Sequence, residues 1–407
     1  MKRTLAVLLI VLAACSGSSS NDAAVPASQL VILKPDGNIA VFDPATRILT
    51  DLTTDARDGR VYSQPTWSPD GRRVAVSVSA APTQGPNLQA EGSAVRVAHQ
   101  AQAAAGNAIH LIPTDSTSPT IIEIPFAAFY LYWAPDGTHL AFLGNDTTQG
   151  QLGVGIVEVS TGRAEVVDSG QPYYFAWSPE SDRLLVHRAN RELFFLSVDG
   201  TQQVVGPSPG GFTAPSWIGD TLMVGWDDGS GAATRLLSPD GSLLEAGVTY
   251  SDAIAFGLNP DQQRFAFIDV AAGTNPFNLG ALVVASPSGN TTVAEETAAF
   301  FWDASGERLL YLTPEFEADA FALRWNVWDG TTSHNYESFL PTATVVQQYL
   351  QFFSQYANSL SFFSPDGSSF TFAGRIDGRG EGIWIQDVES GGLAERVGPG
   401  EFSSWAP

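Results

Sequence analysis

The sequence predicts an all-β fold of the β-propeller type, built from four-stranded blades, on three observations. A near-identical run recurs along the chain: "WSPDGRRVAVSV" from Trp67, "WAPDGTHLAFLG" from Trp133, "WSPESDRLLVH" from Trp177 and "FSPDGSSFTFAG" from Phe363. Short alternating apolar runs bounded by turn residues follow each copy, and no long helical pattern breaks the series. The two ends of the chain read as complementary parts of one sheet.

The first element is a leader. Lys2 and Arg3 form a basic start, Leu5 to Leu12 an apolar run, and Leu12-Ala13-Ala14-Cys15 a site of small residues before a cysteine. This pattern resembles a bacterial lipoprotein signal over residues 1–14, which implies a diacylglycerol on the Cys15 thiol. The apolar run is too short to remain as a membrane-spanning helix, whereas two or three acyl chains would anchor stably. Residues 15–28 are small and polar, a flexible tether. Cys15 is the only cysteine, so a lipidated chain has no disulfide, thiolate metal site or cysteine nucleophile in its folded part.

Residues 29–407 read as one propeller domain. Its anchors are Trp67, Trp133, Trp177, Trp217, Leu258, Trp302, Phe363 and Trp405. They are spaced about 48 residues apart on average, within the range of propeller blades. After each anchor, proline suits the second position of a type I turn, aspartate caps it and glycine closes it. Asp70 and Gly71, Asp136 and Gly137, and Asp366 and Gly367 are therefore turn formers before they are candidates for chemistry. Sheets of this kind cover their faces only by stacking radially, with the anchor aromatics in the seams. The chain ends on "FSSWAP", an anchor with nothing after it, and its first repeat lacks a first strand. The C-terminal strand is expected to complete the N-terminal sheet and close the ring, leaving no free edge. Counting anchors favours eight blades; seven remain if the Trp217 unit, which lacks Pro-Asp, is not a blade.

The repeats resemble the WD40-like repeat of the TolB family of β-propellers, across essentially the whole of the chain after the leader. The resemblance implies a binding or scaffold role outside the cytoplasm. Related propellers also occur in peptidases and polysaccharide lyases. The extra N-terminal α/β domain of TolB has no counterpart here.

Two insertions stand out. Residues at about 80–106 read as a polar surface loop. Residues 339–359, "FLPTATVVQQYLQFFSQYANS", place Val345, Tyr349, Phe352, Phe353 and Tyr356 on one helical face. That aromatic face either packs on the propeller or serves as a lid or docking surface, which makes Tyr349, Phe352, Phe353 and Tyr356 candidate binding residues.

Catalytic signals are sparse. Gly206-Pro207-Ser208-Pro209-Gly210 matches a nucleophile elbow in letters only, since prolines flank the serine and no helix follows. His99, His110, His139, His187 and His334 are scattered, without metal-ligand spacing. Asp227-Asp228-Gly229 and Asp377 to Glu381 lack the full oxygen pattern of a calcium loop. No metal or cofactor is assigned. The net charge of −23, from 43 acids against 20 bases, argues against nucleic acid as a partner. The sequence thus predicts a lipid-anchored extracytoplasmic propeller that binds an envelope protein or a cell-wall ligand, and is more readily a binder than an enzyme. The alternative is a carbohydrate-active lyase or hydrolase built on the channel.

Overall fold

The computed structural model describes residues 28–80, 106–116, 118–189, 192–206, 213–227, 232–250, 253–260, 264–270, 279–286, 288–317 and 320–407. Cys15, His99, Ser208 and nearly all of the first insertion lie outside them.

The described chain is almost entirely antiparallel sheet. The first sheet has the order Ile48–Asp51, Ile39–Asp43, Leu30–Leu33, Phe402–Trp405, so the last strand of the chain pairs with the first. The register is Leu30 opposite Trp405 and Leu33 opposite Phe402. Successive four-stranded sheets then begin at Val61–Trp67, Ala128–Trp133, Tyr173–Trp177, Ser216–Ile218 and Ala253–Leu258. The Trp217 unit, despite its missing Pro-Asp, forms a four-stranded sheet like the others. A final seven-stranded sheet begins at Ala299–Trp302 and contains Ser333–Pro341 hydrogen-bonded to Ser369–Ile376. That join is only two residue pairs long, Leu340 with Arg375 and Pro341 with Gly374. Its last three strands form a unit whose own first strand is reduced to residues 361–363, which make isolated bridges to Trp405 and Phe370.

Burial grades across each sheet. In the first, Leu30–Leu33 is buried along its length and Ile48–Asp51 exposed along its length. First strands of neighbouring sheets pack on one another, as Val61–Trp67 does on Ala128–Trp133. This is the gradient expected of sheets radiating from an axis.

The repeated turn behaves as its residues dictate. The Ser68 hydroxyl donates to Asp70 Oδ1 (2.5 Å), Asp70 Oδ1 accepts from Arg72 N–H (3.1 Å), and Gly71 N–H reaches Ser68 O (2.9 Å). Gly71 sits at φ +65°, where a side chain would be strained. Ser181 occupies the same place in "WSPES" at φ +64°. Its hydroxyl accepts the N–H of Asp136 (3.1 Å), so the departure from glycine gains a contact with the neighbouring sheet.

The anchors do more than fill seams. Each indole N–H donates to the carbonyl just before the preceding anchor: Trp67 to Ser404 (3.1 Å), Trp133 to Thr66 (3.3 Å), Trp177 to Tyr132 (2.9 Å), Trp217 to Ala176 (3.3 Å) and Trp302 to Gly257 (3.1 Å). The basic residue six positions after an anchor covers the next one. Arg73 lies 5.4 Å from the Trp133 ring, Arg183 5.8 Å from Trp217 and Arg264 5.4 Å from Trp302. Trp405 breaks the pattern. Its indole nitrogen is buried without a partner among the described residues, and Phe362 O, which the pattern assigns to it, accepts from Thr371 N–H (2.9 Å) instead.

Candidate functional site: an axial helical segment

The second insertion begins where Ser333–Pro341 ends. Thr342 Oγ1 donates to Glu401 O (2.6 Å) and holds the entry. The expected helix runs without a break over 343–356 but changes its hydrogen-bonding pattern, as a π-helix at Val345–Tyr349, a 3-10 turn at Leu350–Phe352 and an α-turn at Phe353–Tyr356, and Thr342 Oγ1 accepts Val345 N–H (3.3 Å) at its start. No charged residue occurs from 338 to 365.

The physical reason for the uneven helix is what its rings must reach. Tyr349 stacks on Phe402 at 4.0 Å, Phe353 meets Phe300 at 5.2 Å and Phe301 at 6.1 Å, and Tyr356 meets Tyr130 at 4.9 Å. These partners belong to edge strands of different sheets, so the rings point around an axis and not along one flat face. Tyr349, Phe353 and Tyr356 are buried and Phe352 is half-buried. The aromatic face is thus turned into the protein. The exposed positions are Ala343, Gln347, Gln351, Ala357 and Asn358.

Polar contacts key the segment to the strands. Gln355 is the centre of them. Its Nε2 donates to Phe175 O (2.6 Å) and to the Tyr130 hydroxyl (2.9 Å), and its Oε1 accepts from Phe175 N–H (3.1 Å). One side-chain amide therefore closes both main-chain groups of a single residue on the free edge of Tyr173–Trp177, as a neighbouring strand would. The Tyr130 hydroxyl donates in turn to Gln355 O (3.1 Å). The Tyr356 hydroxyl lies 2.8 Å from Phe129 O and 3.1 Å from Gln64 Oε1, two acceptors for one proton. Gln64 Nε2 donates to Gln348 Oε1 (3.1 Å).

Gln64 reaches the axis because its strand is bulged. The register of Val61–Trp67 slips between Ser63 and Thr66, and Gln64, just before Pro65, sits at φ +56° while fully buried. Burial pushes the phenols of Tyr130, Tyr349 and Tyr356 far up, so all three are neutral hydroxyls at physiological pH. The Tyr349 hydroxyl has no partner among the described residues.

The other candidates of the sequence lie apart. His110 is buried beside Tyr62 (5.8 Å between rings), His139 starts a strand next to Trp177, His187 Nδ1 is 3.0 Å from Thr213 O, and His334 is exposed. Among the described residues no three His, Cys, Asp or Glu come together as a metal site. Arg379, in the 377–381 loop, pairs with Glu337 (2.5 Å). Gln64, Tyr130, Phe175 and Gln355 are the site residues that sequence reasoning missed. The available signals were slight: a Gln-Pro step inside a strand, and a buried amide within an aromatic run.

No family model and no curated protein matches the sequence. Among solved structures the chain is similar to a eukaryotic initiation factor, at 13% identity, 93% of this chain, 98% of that one and a TM-score of 0.55. It is also similar to an oligogalacturonate lyase in complex with manganese, at 13% identity, 89% of this chain, 97% of that one and a TM-score of 0.52. TolB from Acinetobacter baumannii matches at 13% identity over 93% of this chain and 81% of that one, with a TM-score of 0.41. At such identities the likeness is one of fold. Among the described residues no helix is long and apolar enough to cross a membrane. Sheet order, the burial gradient and the convergence of first strands on one segment make the chain a β-propeller.

Proposed function

We propose that the chain is a lipid-anchored extracytoplasmic β-propeller that binds an envelope protein or a cell-wall ligand, with eight blades in a closed ring. Eight anchor positions and the pairing of Leu30–Leu33 with Phe402–Trp405 support the ring. Cys15 and the basic, apolar start support the anchor. The observation that carries the binding reading is the axial segment. It fills the position where a channel enzyme would admit substrate, with rings and amides that are already hydrogen-bonded. A partner then either meets the outer surface or competes with the segment for the axial mouth.

Crosslinking capture in cells tests this, with Cys15→Ser beside the native chain to score localisation. The reading expects one envelope protein captured only with the anchored form, which binds again when both are purified. The rival, a carbohydrate-active lyase, draws on the likeness to the lyase structure. Depletion of a polysaccharide by the purified chain, with nothing captured, would establish the rival in its place.

A further inference from the structure

We infer that the mouth around the axis is a peptide-binding site, and that residues 342–360 are its built-in occupant, docked and able to leave. The inference deepens the binding reading above and rests on it.

Three observations carry it. The first is what the segment holds on to. Gln355 takes the N–H and C=O of Phe175, and Tyr356 takes the C=O of Phe129. Main-chain groups on a free strand edge must be satisfied by some partner, and here helical side chains supply it. The second is the shape of the segment. Its helical run over 343–356 changes from a π to a 3-10 to an α pattern within three turns. Isolated helices of about a dozen residues are marginal in water even when regular. The mouth imposes the conformation, as a receptor does on a segment that folds when it docks. The third lies on the receptor side. Gln64 is held at φ +56° in a bulge, with its amide on Gln348 and Tyr356. Strain of this kind is retained at ligand clamps. The unpartnered, buried Tyr349 hydroxyl marks a fit that is incomplete.

The chemistry of the occupant defines the ligand. It is an uncharged peptide carrying the pattern of Phe353-Ser354-Gln355-Tyr356, aromatic, any residue, glutamine, aromatic. A charged side chain in its place would be buried without a counter-charge.

Amide hydrogen exchange on the full-length chain tests the inference. The amides of 345–357 should exchange through local opening, about a hundredfold faster than those of Ala128–Trp133 and Tyr173–Trp177. Tyr356→Phe should quicken the segment about tenfold more and leave the two strands unchanged. A labelled peptide of sequence 342–360 should bind the Tyr356→Phe protein saturably, and lose that binding when its glutamine at the 355 position is leucine. Exchange of the segment in step with the strands overturns the inference, as does the lack of saturable peptide binding. A locked segment leaves the capture result intact. A mobile segment with an empty capture defeats the binding reading instead.

Discussion

Gln355→Leu isolates the amide that joins the axial segment to the strand edge. Leucine keeps nearly the same volume and removes every polar contact. Phe175 N–H and C=O, bonded at 3.1 and 2.6 Å in the native chain, are left buried without partners. Each stranded group costs about 1–3 kcal/mol. The added apolar surface returns about 1–2 kcal/mol. The net loss is therefore about 3 kcal/mol. Equilibrium urea unfolding followed by tryptophan fluorescence measures it. Gln347→Leu is the control, because Gln347 is exposed on the same segment and makes the same chemical change. A loss below about 1 kcal/mol, or one equal to the control, would show that the amide clamp does not hold the segment.

Gln64→Gly should be more stable than Gln64→Ala by about 1 kcal/mol, because both lose the amide contacts and only glycine relieves φ +56°; urea midpoints giving the reverse order would deny the strain. Trp177→Phe should lose about 2–3 kcal/mol, from the 2.9 Å bond to Tyr132 O and the volume of the indole, and thermal melts beside Trp67→Phe would show whether the seams share one design. Burial holds the His187 imidazole down at about 4 from an ordinary 6.5. The unfolded chain takes up that proton first, so stability is full above about pH 6.5 and falls by about 1.4 kcal/mol per pH unit down to about 4; His187→Gln should flatten urea midpoints in that window.

The fold was legible because its information is local. Ser68-Pro69-Asp70-Gly71 and Ser364-Pro365-Asp366-Gly367 specify a turn from adjacent residues, and each occurs where the sequence placed it. The seam between sheets was legible only in part. Trp177 could be read as a wedge, but its acceptor on Tyr132 is set by the stacking of two sheets. The axial site was scarcely legible. Periodicity at Val345, Tyr349, Phe353 and Tyr356 marked an aromatic helix, yet the rings serve strands as distant in sequence as Tyr130 and Phe402. A period-based reading assumes one flat partner, and here the partner surrounds the segment. Nothing near Gln64 announces that its amide meets Gln348, 284 positions away.

The same local chemistry changes what the net charge of −23 says about partners. Asp43, Asp70, Asp136, Asp146, Asp199, Asp240, Asp329, Asp366 and Asp387 each accept the backbone N–H two residues on. Aspartate is chosen there because its carboxylate closes a turn. A fold that needs a turn at every strand end therefore accumulates negative charge without any ligand requiring it. The Ser364 hydroxyl and then Ser368 hold the Asp366 carboxyl below its usual range. Such carboxylates support the fold above the ordinary value and cease to as pH falls through their lowered ones. These turn carboxylates belong to the scaffold, and their charge identifies no partner. The axial segment is where the scaffold departs from its own repeat: it carries no charge, spends no residue on a turn of the repeated kind, and replaces most of one first strand with rings and amides set against five other strands.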